Sequence, residues 1–388
     1  MRYFNDNDGA VVIKSWCDNP EEGAIEQAKN LARLPFVFKQ ICLMSDTHLG
    51  YGMPIGGVMA TEGVVVPNAV GVDIGCGMCA LKTSLNEISV DSLKKIMGEI
   101  RKRIPLGMNR HKESQGSELM PTGHAALELP VVSREYSKAL CQLGTLGGGN
   151  HFIEIQKGSD GNIWVMIHSG SRNIGKQVAD FYNKKAMGTN ERWFSIVPKE
   201  WELAFFPMDD EYGKKYIAEM RYCVDFALAN RKLIMDRIAV IVHETTRATF
   251  EPMINIAHNY AQMENHFGRN VLIHRKGATS AREGEIGIIP GSQGTSSYIV
   301  RGKGNPESFM SCSHGAGRKM GRKEAERTLN LEEEKKKLDD RGILHAVRGT
   351  SDLDEASGAY KNIETVMGEQ ADLVDILVRL EPLAVVKG

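Results

Sequence analysis

Val70-Gly71-Val72-Asp73-Ile74-Gly75-Cys76-Gly77-Met78-Cys79 carries an apolar run into a glycine turn that bears a carboxylate and a thiol three positions apart. Val64 to Val66 before the turn and Cys79 to Leu81 after it read as strands. Gly75 and Gly77 flank Cys76, so the backbone is free to bend and present sulfur outward, with Asp73 as a hard oxygen donor beside it. The pattern recurs with histidine at three more strand ends: Gly147-Gly148-Gly149-Asn150-His151-Phe152, Ile167-His168-Ser169-Gly170-Ser171-Arg172 and Leu272-Ile273-His274-Arg275-Lys276-Gly277. Strands and helices follow in an order unlike βαβ repetition. That order predicts an α+β fold, a single large domain over 1–388 in which mixed β-sheets with surrounding helices bring glycine loops together at strand ends.

One histidine at a strand terminus is ordinarily a hydrogen-bonded structural residue. Three in one setting, beside an Asp/Cys turn, point to a shared polynuclear metal site with ligands Asp73, Cys76, His151, His168 and His274. The bland alternative is a buried turn around an inert cysteine. Cys76 and Cys79 form a CxxC with no second pair, which argues against a four-cysteine zinc site.

Ser311-Cys312-Ser313-His314-Gly315-Ala316-Gly317-Arg318 differs by adding an arginine and small residues that let a phosphate approach His314. A neutral imidazole nitrogen can attack a phosphoryl centre, with metal and arginine charge stabilising the transition state. A further metal ligand is the other reading, and the residues alone leave both open. Two near misses are set aside. Gly170 to Gln177 nearly spells a P-loop but ends in Gln177, without the hydroxyl that ligates magnesium, and His243-Glu244-Thr245-Thr246-Arg247 lacks the second histidine of a zincin helix.

Outward from these motifs, Val11 to Lys14, Phe36 to Met44, Phe152 to Ile155, Trp164 to Ile167, Val271 to Ile273, Glu285 to Ile289 and Tyr298 to Val300 read as strands. Gly158-Ser159-Asp160-Gly161 is a hairpin signal. Helical spacing covers Glu21 to Ala32, a segment from about Ser89, the long stretch Glu211 to Val242, Asn255 to Glu264, and a charged run from Arg322 to Leu338.

The 388 residues are 42% hydrophobic, enough for a substantial core, and carry a formal net charge of −1. A polyanion would therefore have to meet a local basic surface, since no global attraction exists. Seven cysteines do not make a disulfide framework, which leaves thiols available to metal. The first thirty residues lack the apolar core of a signal peptide and no run is long enough to span a membrane, so a soluble, cytoplasmic protein is expected.

From about Asp46 to Lys387, the ordered strings GVDIGCGM, GGGNHFIE, HSGSR, HRKGAT, SHGAGR and Ala384-Val385-Val386-Lys387-Gly388 resemble the RtcB family of RNA ligases. The resemblance implies two manganese ions, one on Asp73, Cys76 and His151 and the other on Cys76, His168 and His274. It implies GTP as nucleotide and a covalent guanylate on His314, which then passes to an RNA 3′-phosphate. That end arises from a 2′,3′-cyclic phosphate by hydrolysis, and a 5′-hydroxyl attacks the activated end. By the same resemblance Asn150, Arg172 and Arg318 contact phosphates, and Phe152, Glu154, Ser292, Tyr360 and Lys387 line a guanine pocket next to Gly315, Ala316 and Gly317. A carboxylate such as Glu154 suits guanine because it accepts from the ring N–H and the exocyclic amine. The resemblance also raises an archease-like activator as a partner.

The chain departs from the family pattern at Met44-Ser45-Asp46-Thr47-His48-Leu49-Gly50-Tyr51-Gly52, where MPDVHLGKG is usual, and at Gln293, where PGSMGT has methionine. Tyr51 in place of lysine removes a potential RNA-phosphate contact. The competing function is a dinuclear metal-dependent phosphoesterase acting on nucleotides or RNA, in which His314 only positions phosphate.

Overall fold

The computed structural model describes residues 1–4 and 10–388. Helix Glu22–Ala32 forms because Ala24, Ala28, Leu31 and Ala32 recur on one face, and that face is buried. It crosses between strands Val12–Ser15 and Val37–His48, which pair in parallel, as a parallel neighbour requires. The other pairs of named strands are antiparallel, and helices pack around the sheets, an α+β architecture.

Two large sheets carry the molecule. The first runs Arg2–Phe4, Val12–Ser15, Val37–His48, Ile55–Thr61, Arg269–Lys276, Asn259–His266. The second runs Ile254–Ala257, Gly77–Lys82, Ile163–Ser169, Phe152–Gly158, Val374–Lys387, Ser297–Gly302, Ile286–Ile289. Helix Glu211–Thr246 lies against the second sheet: Ile234, Met235, Ile238 and Ile241 pack with Ile153, Ile155, Val165 and Ile167 in one buried cluster. Each such fully buried side chain contributes roughly 1.5–3 kcal/mol of transfer free energy. Asp210 caps the helix by accepting from the Tyr212 N–H at 2.8 Å, and Arg247 in the left-handed conformation ends it.

Most expected elements form within a few residues of their predicted bounds, and the 158–161 turn joins an antiparallel pair in which Lys157 faces Ile163. Two expectations are corrected. The charged run from Arg322 is two helices, Arg322–Thr328 and Leu331–Asp339, because Asn330 breaks the run and caps the second by accepting from the N–H groups of Glu332 and Glu333. Residues 254–266, expected to be helical from Asn255 to Glu264, are two strands. Asn255 to Ala257 pair with Cys79 to Gly77 in the second sheet, and Asn259 to His266 pair with Lys276 to Arg269 in the first. Backbone pairing on both sides outweighs a modest helical preference. His258 sits at the crossing between the sheets.

This topology assembles the site. In the second sheet the starts of Gly77–Lys82 and Phe152–Gly158 lie level with the ends of Ile163–Ser169, Val374–Lys387 and Ile254–Ala257: Gly77 faces Ser169 and Ala257, and Phe152 faces His168 and Lys387. The loops attached at this one end carry Asp73, Cys76, Asn150, His151 and His258. A small ladder, Ala278–Ser280 with Ser311–Ser313, delivers His314 from the other side.

Candidate active site

Cys76 Sγ lies 3.4 Å from His151 Nε2 and 3.2 Å from His168 Nε2, and His151 Nε2 is 3.3 Å from Asp73 Oδ2. Two donor groups, Asp73/Cys76/His151 and Cys76/His168/His258, each hold their ligand atoms within 4.8 Å and share the thiol. Both flanking imidazoles are oriented from behind. His151 Nδ1 is 3.0 Å from the Leu146 carbonyl and His168 Nδ1 is 3.1 Å from that of Asn150, so each ring N–H has an acceptor and each Nε2 lone pair is turned to the site.

The electrostatics fit a cation. Burial pushes the Cys76 thiol well above its ordinary range and the Asp73 charge pushes it further. Burial opposes ionisation of Asp73 too, but hydrogen bonding and charge from His151, with Cys76 and Arg172, hold its carboxyl down at about 2. Burial keeps His168 and His258 far below the usual imidazole value, reinforced by the neighbouring histidines. A carboxylate, neutral imidazoles and a thiol that ionises only beside positive charge suit two divalent ions sharing the sulfur.

His274 is not part of this constellation. It occupies mid-strand in Arg269–Lys276, opposite Met59 and Ala261, where its Nε2 accepts the Val66 N–H at 3.1 Å and burial lowers its pKa to about 4. His258 stands where His274 was expected, with its ring 5.2 Å from that of His168 and 4.8 Å from that of His314. Sequence reasoning missed it because the segment scored as a helix. His258 in His258-Asn259-Tyr260, at the junction of two strands, was the available signal.

Two glycines are required by close approach. A Cβ on Gly170 would stand 2.5 Å from Asp73 Oδ1, and one on Gly147 would meet Arg172 Nη1 at 2.0 Å and His151 Nδ1 at 2.5 Å. Arg172 itself has φ +59°, a strained conformation for an arginine, and donates from Nε to Thr145 Oγ1 and from Nη2 to the Gly107 carbonyl. No P-loop forms: Gly175 and Lys176 lie inside helix Arg172–Arg192, with Lys176 paired to Asp180. Cys79 points into the apolar core under helix Glu211–Thr246, away from Cys76.

His314 Nδ1 lies 2.6 Å from Asp46 Oδ2, at ion-pair distance though out of hydrogen-bond alignment. The same oxygen accepts the backbone N–H groups of His314 and Gly315 at 3.1 and 3.2 Å. The fully buried Asp46 thus holds the loop and one face of the ring, which leaves Nε2 as the nitrogen available for chemistry.

A cavity of about 170 Å³ opens over His314 and His168. Its wall brings together Asn150, Phe152, Glu154, Ser292, Tyr360 and Lys387, with Gly315, Ala316, Gly317 and Arg318 along the loop. His48, Gln293, Arg322 and Glu355 also line it and were not assigned a role from sequence. Burial raises Glu154 to about 8, against the Gln156 hydrogen bond and the Lys387 charge, while burial lowers Lys387 despite Glu355, Asp354 and Glu154. Arg172 is not in this wall. Arg318 is, but its guanidinium is largely committed, donating to the Met320 and Asp354 carbonyls, Glu355 and the Tyr360 hydroxyl.

A family model described as tRNA-splicing ligase RtcB matches residues 27–128 and 120–388. The chain is 38% identical over 400 residues to the RNA-splicing ligase RtcB of Escherichia coli K12, covering 97% of each chain. It is 32% identical over 444 residues to the tRNA-splicing ligase RtcB of Thermococcus kodakarensis, covering 95% of this chain and 92% of the relative. It is also 32% identical over 435 residues to the RNA-splicing ligase RtcB of Mycobacterium tuberculosis, covering 93% of this chain and all of the relative.

Proposed function

Since this chain belongs to the RtcB family, we propose that it is an RNA ligase that takes guanylate from GTP onto His314 Nε2 and passes it to an RNA 3′-phosphate, which a 5′-hydroxyl end then attacks. The observation that carries this reading is the position of His314: its ring faces the cavity, is backed by Asp46, and lies 4.8 Å from that of His258 in the donor cluster. Asp73, Cys76, His151, His168 and His258 would hold two manganese ions, which when bound supply Lewis-acid charge at the phosphates.

The residues of the chain do the rest. Asp46 turns Nε2 toward the α-phosphorus, and the bond to His314 forms as the bond to pyrophosphate breaks. Glu154, as carboxylate, accepts from the guanine N–H groups, and Lys387 offsets its charge at the floor of the pocket. Tyr360 and Phe152 wall the base. Asn150 projects into the cavity beside the metal donors, where its amide meets the phosphates. Arg322, whose Nε bonds Glu355 at 2.9 Å and whose side chain is half-exposed, is a freer phosphate donor than Arg318.

Incubation with GTP labelled at the α-phosphate, with manganese, tests this reading. Label is expected on His314 by mass mapping, and none on His314→Ala, which still binds metal. A labelled His314→Ala protein overturns the nucleophile assignment, and a protein that hydrolyses RNA ends without taking up label turns the reading to a phosphoesterase.

A further inference from the structure

RNA ligation by a chain of net charge −1 demands a local track of positive charge, and the catalytic cavity itself is too small to hold a strand. An open groove of about 880 Å³ adjoins it, lined by Lys157, Lys319, Lys337, Arg341, Lys361 and Arg379 against two acids, Glu364 and Glu381. Resting on the RNA-ligase reading, we propose that this groove binds the phosphodiester backbone of the RNA strand as it leaves the catalytic cavity.

Connection is the first argument. Tyr360 lines both the cavity and the groove. A smaller hollow shares Gln293 with the cavity and Lys337 and Arg341 with the groove, so the depressions meet around the 293–296 loop. A strand passing Tyr360 or Gln293 runs directly onto the cations.

The second argument is the state of those charges. Lys157 is held by the carbonyls of Asn86 and Gly161, Arg341 by that of Gly294, and Lys361 by that of Thr47 with the Cys17 sulfur. Neutral acceptors orient a cation without cancelling it. Arg379 is paired with Glu364 and Glu381, and Lys337 with Glu334, while Lys319 is exposed, so four of the six cations have no carboxylate partner among the described residues. Lys361 also ties the groove to the nucleophile loop, its N–H donating to the Gly317 carbonyl at 2.9 Å. A cluster of six cations beside a phosphate-transfer site, four without a carboxylate partner among the described residues and three of those oriented by neutral acceptors, suits a polyanion read by backbone and not by base.

The test uses the metal-loaded full chain and a fluorescent single-stranded RNA ending in a 3′-phosphate, with affinity followed by anisotropy over a salt series. Lys319→Gln/Lys337→Gln and, separately, Lys157→Gln/Arg341→Gln are each expected to weaken binding roughly tenfold and flatten the salt slope by about 1.4, at about 0.7 per lost phosphate contact. Lys94→Gln/Lys95→Gln, on the exposed side of helix Val90–Arg103, is expected to bind like the parent. Parental affinity and slope in both groove variants overturn the groove assignment. A parent protein that binds no RNA at all overturns the ligase reading beneath it.

Discussion

Asp46 Oδ2 stands 2.6 Å from His314 Nδ1 and accepts the backbone N–H groups of His314 and Gly315, so one buried carboxylate sets both the loop and the ring. Asp46 ends an expected strand and His314 lies 268 positions further on. Their pairing exists only because the Ser311–Ser313 ladder packs over the end of Val37–His48.

An asparagine at 46 keeps an oxygen for the backbone but loses the charge that favours a proton on Nδ1. Asp46→Asn is therefore expected to slow guanylate formation by roughly 10²–10⁴-fold with metal content unchanged. Rapid-quench label transfer checks this. A rate within a factor of two of the parent would remove Asp46 from a positioning role.

In the proposed metal site His258 is a ligand and His274 belongs to the scaffold. His258→Ala is expected to lose about one equivalent of bound metal by elemental analysis and to keep most of its stability. His274→Ala is expected to retain both ions and lose roughly 2–4 kcal/mol, since the Val66 N–H is left buried without an acceptor beside a new cavity. The reverse pattern would return His274 to the metal site.

Glu154, raised to about 8 by burial, is protonated at neutral pH in the empty pocket. To accept two guanine N–H groups, as proposed, it must ionise. Nucleotide binding below pH 8 should thus release a proton, and affinity should rise up to tenfold per pH unit and level off above about 8. Calorimetry in buffers of different ionisation enthalpy measures the release, and Glu154→Gln should abolish it. A flat affinity across this range would contradict the assignment.

Behind the strand Ser311–Ser313, Arg275 is completely buried, paired with Glu264 and donating to Ser311 Oγ at 2.9 Å and the Phe309 carbonyl at 3.2 Å. Burial would raise Glu264, but His266 and Arg275 outweigh it and hold it well below the usual carboxylate range. A depressed folded-state pKa contributes stability that is complete above the unfolded value and is lost as pH falls through the folded one. Glu264→Gln is expected to cost about 3–5 kcal/mol at neutral pH by leaving Arg275 unpaired. In urea unfolding, the difference from the parent should narrow only below about pH 4.

Local motifs were legible where the chemistry and the turn share one segment. Asp73 and Cys76 in their glycine turn, His151 after Gly147-Gly148-Gly149, and His168 before Gly170 each announce a ligand at a strand end, and the structure brings all four together. The cavity residues Phe152, Glu154, Tyr360 and Lys387 were reached through family resemblance, since they come from distant elements with no common spacing. Arg322 and Glu355 were not reached, because an arginine at a helix start and a glutamate in a short turn look like ordinary surface.

By itself the sequence determined the α+β class, the glycine turns and the chemical character of the site, because turn formation and donor chemistry are local properties. Which histidine completes the cluster was decided only by tertiary structure. In a strand, side chains alternate in period two, and that places His274 and Lys276 on the face toward the Val66–Val70 turn, where they hold the Val66 N–H and the Asn68 carbonyl. His258 reaches Cys76 because Ala257 pairs with Gly77 in one sheet and Asn259 with Lys276 in the other. Neither long-range pairing is written in the spacing around position 258, which on its own favours a helix.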